Sequence, residues 1–279
     1  MVVLGDTLTA VIGAEVGRDH DLPVYHIEAG VRSGDRANPF PEEGYRIRID
    51  EMATAGACPT LHAQSNLRVE LPNVVWRYGT GPKIPVALDF PVTGNPGVDA
   101  CLQRQRPVHP AKRLDYLLVT LHRRESFGVP LQRIVQGLLE VADHYPDLEI
   151  HWPLHPNPAI RAAIPATLPP GIRIGPPLAY TTFLTKLAHA GGVLTDSGGV
   201  QEDAATLGIP AAIAREVTDR PESIESGHAV LAGRTTAGVE RGVLRVLGGH
   251  LRNDPGTVFG DGQAANRILD HWLGLTTGT

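Results

Sequence analysis

The 279-residue sequence predicts an α/β protein built on parallel sheets, and three observations carry that reading. Short apolar runs recur between helical patterns along almost the whole chain. Runs such as VVL at 2–4 and YLLV at 116–119 are apolar rather than alternating, which marks strands covered on both faces. Glycine (31) and proline (24) are abundant and fall where strands would turn into helices.

Taken in order, residues 2–4 (VVL) form a buried strand that stops at Gly5-Asp6-Thr7, and a helix follows to about Gly17. A second strand over 23–27 ends at Glu28-Ala29-Gly30. Residues 32–44 carry the prolines and glycines of a loop, and a helix is expected from 45 to about 55. The proline-rich stretch 83–95 (KIPVALDFPVTGN) reads as the last strand of a first domain and the way out of it. The second half repeats the pattern with strands over 115–120, 149–154, 172–174, 192–194 and 211–214. Helices are expected over 131–144, 159–166, 181–190 and 200–207, the last closed by Gly208 with Pro210 beyond. That makes about five βα units in the second half against three or four in the first, so the first domain is expected to be incomplete.

Composition narrows the function. With 42% hydrophobic and 20% charged residues, the chain can fill one large or two ordinary cores. A net charge of −5 and a pI near 6.2 argue against a nucleic-acid or membrane-surface partner. Cys58 and Cys101 form neither a disulfide framework nor a metal-ligand set, which favours a reducing cytoplasm. No apolar run approaches the roughly 18 residues of a membrane span. His-Glu-x-x-His, P-loop and GxGxxG patterns and a Ser-His-Asp arrangement do not stand out, so metal hydrolysis and ATP chemistry find no support.

The strongest chemical signal is the run 194–203 (LTDSGGVQED). A strand stops, Ser197-Gly198-Gly199 makes the turn, and a helix begins. Small residues there let backbone N–H groups approach an anion at the helix N-terminus. Phosphate binding and an ordinary βα turn both fit. Asp203, one turn into the helix, suits ribose hydroxyls or a solvated face. Arg220 follows the next strand and could reach a phosphate, its charge balanced by Glu216, Asp219 and Glu222, or it could sit in a salt-bridged loop. In the first half Asp6, Glu28 and Glu42 lie at or after strand ends; together they suit removal and return of a proton, while each alone suits a cap or a surface acid. His122, followed by Arg123, ends the strand at 115–120 and suggests diphosphate contact or acid catalysis. His155 also follows a strand.

These segments together resemble the UDP-N-acetylglucosamine 2-epimerase family of the non-hydrolysing type. The resemblance rests on GDT at 5–7, HIEAGVR at 26–32, PEEGYR at 41–46, TGN at 93–95, HRRESFG at 122–128, LHPNP at 154–158, DSGGVQED at 196–203, RPE at 220–222 and FGDGQAANRI at 259–268. It implies a GT-B arrangement, two Rossmann-like domains around a cleft. Residues 1–95 would form a partial sugar-side domain, 96–258 the UDP-binding domain, and 259–279 a helix returning toward the first. The family's first strand and its glycine-arginine turn have no counterpart here, so the resemblance implies an N-terminally truncated member. It further implies Asp6, Glu28, Glu42 and His122 as catalytic groups, and Arg123, His155, Phe183, Ser197, Gly198, Gly199, Asp203 and Arg220 as substrate and UDP contacts. Asp203 stands where the family usually has glutamate, and Tyr45 where asparagine is common.

The implied reaction interconverts UDP-N-acetylglucosamine and UDP-N-acetylmannosamine at C2 by elimination and re-addition of UDP, with no cofactor, in cell-surface polysaccharide biosynthesis. A hydrolysing variant releasing N-acetylmannosamine and UDP, and an impaired UDP-sugar-binding or partner protein, are the alternatives. The expected partner is the UDP-sugar, with a homodimer or a chain supplying the absent segment.

Overall fold

The computed structural model describes residues 1–71 and 89–277. The chain divides into two compact units, one formed by Met1–Ala100 with Phe259–Thr279, the other by Cys101–Val258.

The first unit holds, among its described residues, a three-stranded parallel sheet in the order β1 (Val2–Leu4), β2 (Tyr25–Ile27), β3 (Ala55–Ala57). Between the strands run α1 (Leu8–Asp19) and α2 (Glu42–Met52), and α3 (Leu61–Glu70) follows β3. Thr7 and Thr60 cap α1 and α3, each accepting from the backbone N–H three residues on. On one sheet face Val3 and Val24 pack with Ala10, Val11 and Ala14 of α1 and Ile49 and Met52 of α2. Tyr45 packs partly buried against this same cluster. The other face, Tyr25, Ala55 and Ala57, is covered by Ile268, Trp272 and Leu275 of a C-terminal helix spanning Ala264–Thr277. Asp99 fixes the start of that helix by accepting from the Ala264 and Ala265 N–H groups at 3.0 and 2.8 Å.

Two expectations in this unit need correction. The helix expected from residue 45 starts at Glu42, because Pro41 precedes two acidic residues that suit the positive end of a helix. The strand at Ala55–Ala57 and the helix at Leu61–Glu70 lie where none was expected: alanine and glycine have weak β preference, and only burial between neighbours makes AGA a strand. Residues 83–88 of the expected last strand lie outside the described residues, while Val92 makes a parallel bridge to Cys58.

The second unit carries a six-stranded parallel sheet in the order β6-β5-β4-β7-β8-β9. Its strands are β4 (Leu114–Thr120), β5 (Glu149–Pro153), β6 (Ile172–Gly175), β7 (Ala190–Thr195), β8 (Ala211–Ile213) and β9 (Ala229–Leu231). The sixth, at Ala229–Leu231, was not foreseen. Alternate residues of β4 serve the two faces. Leu117 and Val119 meet Leu131, Ile134 and Leu138 of the helix Val129–His144 and Val239 and Val243 of the helix Thr236–Leu247. Tyr116 and Leu118 meet Leu184 and Leu187 of the helix Tyr180–His189. Strand order reverses between β4 and β7, and in open parallel sheets the carboxyl ends at such a reversal border a ligand crevice.

Candidate active-site residues in the two units

In the first unit, parallel pairing of β1 with β2 sets the two following turns side by side. Gly5 has φ +69°, and a Cβ there would stand 3.4 Å from Glu28 Oε2. Glu28 itself has φ +74°, a left-handed conformation that costs energy for any residue with a side chain and that clusters at functional sites. Its carboxylate accepts from Asn95 Nδ2 at 2.8 Å. Asp6 accepts from Arg46 Nε at 2.9 Å and Nη2 at 2.5 Å. The same guanidinium donates to Glu43 at 3.2 Å, and Glu43 also accepts from the Ser33 and Gly34 N–H groups. Asp6 and Glu28 are therefore brought together and individually anchored. Glu42 sits half-buried in the first turn of its helix, next to Glu43.

In the second unit, His122 and Arg123 follow β4, and Asp196 follows β7. Asp196 is buried and accepts from the His122 and Arg123 backbone N–H groups at 3.0 Å each, with His122 Nδ1 at 3.3 Å. Burial holds the His122 imidazole below its ordinary pKa, and Arg123 and His155 add to this while Asp196 opposes it. The ring is then neutral at pH 7. Geometry assigns the proton to Nδ1, which faces the carboxylate, and leaves Nε2 as an acceptor. The His122 and His155 rings lie 5.8 Å apart. Both line a cavity of about 140 Å³ together with Leu154, Pro177, Leu178 and Phe183.

Ser197 caps the ten-residue helix Gly198–Leu207, accepting from the Val200 N–H at 3.5 Å. Around Gly198 two guanidinium groups and one carboxylate converge: a Cβ there would meet Asp219 Oδ1 at 3.5 Å, Arg220 Cζ at 3.8 Å and Arg123 Nη2 at 3.9 Å. At Gly199 a Cβ would meet nothing within 4 Å. Absence of side chains, a helix N-terminus and two arginines make this turn suited to an anion. Of the acids expected around Arg220, Asp219 pairs with it, and Glu202 joins as a further partner. Glu216 pairs instead with Arg234, and Asp219 also holds Arg215. Glu202 is one turn along the same helix as Gly198, a separation at which side chains share a face.

Asp203 is 6% exposed and is turned toward Tyr180, whose hydroxyl donates to its two oxygens at 3.0 and 3.3 Å. Burial pushes its carboxyl up to about 6, against the opposing hydrogen bonds from Tyr180 and Cys101. The solvated-face reading of this residue does not hold. Arg46, Asn95, Asp196, Glu202 and Tyr180 escaped the sequence reading as partners; the only local hint was Asp196 beside Ser197 in a strand-end turn. Among the described residues, no cluster of three or more His, Cys, Asp or Glu could hold a metal ion, and no helix is long and apolar enough to cross a membrane.

Comparison with known proteins bears on the whole chain. A family model described as UDP-N-acetylglucosamine 2-epimerase matches residues 1–272. A UDP-N-acetylglucosamine 2-epimerase of Yersinia pestis is 35% identical over 279 residues, covering 96% of this chain and 74% of that protein. The S. aureus MnaA-UDP co-structure superposes with a TM-score of 0.85 at 29% identity, covering 99% of this chain and 74% of the other. The UDP-GlcNAc 2-epimerase of Neisseria meningitidis, solved bound to UDP-GlcNAc, gives 0.83 at 27% identity over 98% of this chain and 75% of the other. The chain thus spans about three quarters of the length of these relatives. The fold is of the GT-B-like α/β class, with parallel sheets in two units. From the matched span and the identity that accompanies it, the chain belongs to the UDP-N-acetylglucosamine 2-epimerase family.

Proposed function

We propose that this chain interconverts UDP-N-acetylglucosamine and UDP-N-acetylmannosamine. The observation that carries the reading is the pairing of Asp6 and Glu28 on adjacent strand-end turns, each held by its own donor, in a chain of this family. The C2 proton is not α to a carbonyl, so removal of that proton is coupled to departure of UDP. A carboxylate takes the C2 proton, the C1–O bond to the diphosphate breaks, and 2-acetamidoglucal and UDP result. UDP then adds back at C1 as a proton is delivered to the opposite face of C2. Asp6, Glu28 and Glu42 are the candidates for proton removal and return. Arg123, Arg220 and the Ser197-Gly198-Gly199 turn are assigned to the diphosphate, whose growing charge they would stabilise. Neutral His122, with Nε2 free of the Asp196 contact, accepts a hydrogen bond from a hydroxyl or N–H of the nucleotide. Phe183 and His155, which line one cavity, are assigned to the base, and Asp203 to the ribose by way of its Tyr180 pair.

Incubation with UDP-N-acetylglucosamine in deuterated buffer tests this directly. The expected products are UDP-N-acetylmannosamine and deuterium at C2 of both sugars. Free UDP with N-acetylmannosamine as the sole product would replace the reading with hydrolysis, and absence of both turnover and exchange would refute it. The two buried free thiols, Cys58 and Cys101, are in keeping with a cytoplasmic setting. Val2, Leu4, Leu8, Ile12 and Val16 are exposed along β1 and α1, which supports a polypeptide neighbour, a second copy or another chain; light scattering of the purified protein tests it.

A further inference from the structure

We propose that His26 is a positioning residue for this chemistry: a buried imidazolium, donating from both ring nitrogens, that ties together the strand ends carrying Asp6 and Glu28. The proposal rests on the epimerase reading for its functional consequence and on geometry for the ionisation.

His26 lies in the middle of β2 and is 0% exposed. Nδ1 is 2.5 Å from Asp50 Oδ1 and Nε2 is 3.0 Å from the Gly5 carbonyl oxygen. A backbone carbonyl can only accept. The other Asp50 oxygen already accepts from the Gly30 N–H at 3.1 Å and faces Arg32 Nη2 at 2.8 Å, which keeps the carboxyl ionised. A neutral imidazole has one N–H and one lone pair, so one ring nitrogen would point a lone pair at an acceptor. Protonation of both satisfies every atom, and the buried orphan is avoided.

The surrounding charges agree. Burial by itself lowers the His26 pKa, but Asp50, by charge and by hydrogen bond, together with the Gly5 carbonyl and the charge of Glu28, raises it above the ordinary value. Burial likewise raises the Asp50 carboxyl, and His26 and Arg32 outweigh it and hold it low. Arg32 also pairs with Glu70, and the nearby Cys58 thiol is pushed up and stays neutral. The charged groups facing the ring are thus Asp50 from α2, and Glu28 and Arg32 from the stretch after β2.

Position follows from connectivity. Gly5 precedes Asp6, and Glu28 stands two residues beyond His26. Asp50 holds Gly30 as well, so both left-handed turns, at Gly5 and at Glu28, hang on one ionic cluster. A displacement of about 1 Å in reacting groups costs on the order of 100-fold in rate.

Two measurements test this. The chain has 12 histidines, and the His26 ring signals are assigned as those lost in His26→Gln. Both ring nitrogens of His26 should carry protons in ¹⁵N spectra throughout about pH 6 to 8, across the ordinary histidine pKa near 6.5. A single neutral tautomer at about pH 7 overturns the proposal. In His26→Gln the amide can donate to only one of the two acceptors. Turnover should fall about 100-fold in kcat with KM for the UDP-sugar within about threefold, while UDP binding persists. Wild-type kcat in that variant overturns the positioning role. A wild-type chain without turnover instead overturns the functional reading, and the nitrogen spectrum, which needs no activity, still decides the ionised pair.

Discussion

Substitution of Asp203 by asparagine probes the second unit through its pH dependence. The carboxyl sits in the helix Gly198–Leu207, 6% exposed, with the Tyr180 hydroxyl as donor and a pKa lifted by burial to about 6. Between its ordinary value and about 6, the folded chain keeps a proton that the unfolded chain has released. The stability this group contributes is therefore complete below its unfolded pKa, declines as pH rises through about 6, and is flat above. The decline amounts to on the order of 3 kcal/mol, from about 1.4 kcal/mol per tenfold change in the equilibrium. Asparagine keeps an oxygen for Tyr180 and carries no charge, so Asp203→Asn should be more stable than the wild type above about pH 6 and nearly level with it at about pH 4. Urea denaturation followed at several pH values between these limits gives the comparison. Parallel stability curves for the two proteins would refute the buried-carboxyl argument.

Arg46→Met removes the shared partner of Asp6 and Glu43 and leaves Glu43 buried with only backbone donors. Loss of one member of a buried ion pair costs about 3–5 kcal/mol, and an unchanged denaturation midpoint would refute the role of the pair. Gly198→Ala places a methyl at 3.5 Å from Asp219 Oδ1 and 3.8 Å from Arg220 Cζ, ordinary contacts that preserve the fold. It should nonetheless weaken UDP binding about tenfold or more by calorimetry, about 1.4 kcal/mol, and unchanged affinity would refute an anion site there. Gly137→Ala would bring its Cβ to 2.7 Å from the Thr236 carbonyl oxygen and 2.9 Å from Val239 Cβ. The two helices must separate, so we expect a loss of about 1–3 kcal/mol despite alanine's better helix propensity; a gain in melting temperature would contradict this packing.

The central strands of the second unit were legible because runs such as YLLV at 116–119 and AAI at 211–213 are apolar, and the helix stop at Gly208 because its left-handed φ of +74° suits glycine. The strand at Ala55–Ala57 was not, since its residues are small and its strandedness comes from pairing with β2. The site divides in the same way. Asp6, Glu28, His122 and Ser197 stand beside glycines or at the ends of apolar runs, and a parallel sheet puts such residues at one end of the strands. Their partners are tertiary. Asn95 reaches Glu28 across 67 residues and Asp196 reaches His122 across 74, and no local pattern announces either. At Arg220 the sequence neighbour Asp219 is a partner as expected, whereas Glu202 comes from the helix face of Gly198, 18 residues back, and no local pattern announces it.

The return of the last helix to the first unit has a consequence for biosynthesis. Tyr25, Ala55 and Ala57 are made early, but Ile268, Trp272 and Leu275, which cover them, leave the ribosome only after the whole of Cys101–Val258. At about 5–20 residues per second that interval is on the order of ten seconds or more. During it the nascent first unit shows an uncovered apolar sheet face, a surface that chaperones recognise, whereas the second unit has every strand and helix of its own core once Val258 is made. Loss of the helix Ala264–Thr277 would therefore damage the unit made before Cys101–Val258 and not the one it directly follows.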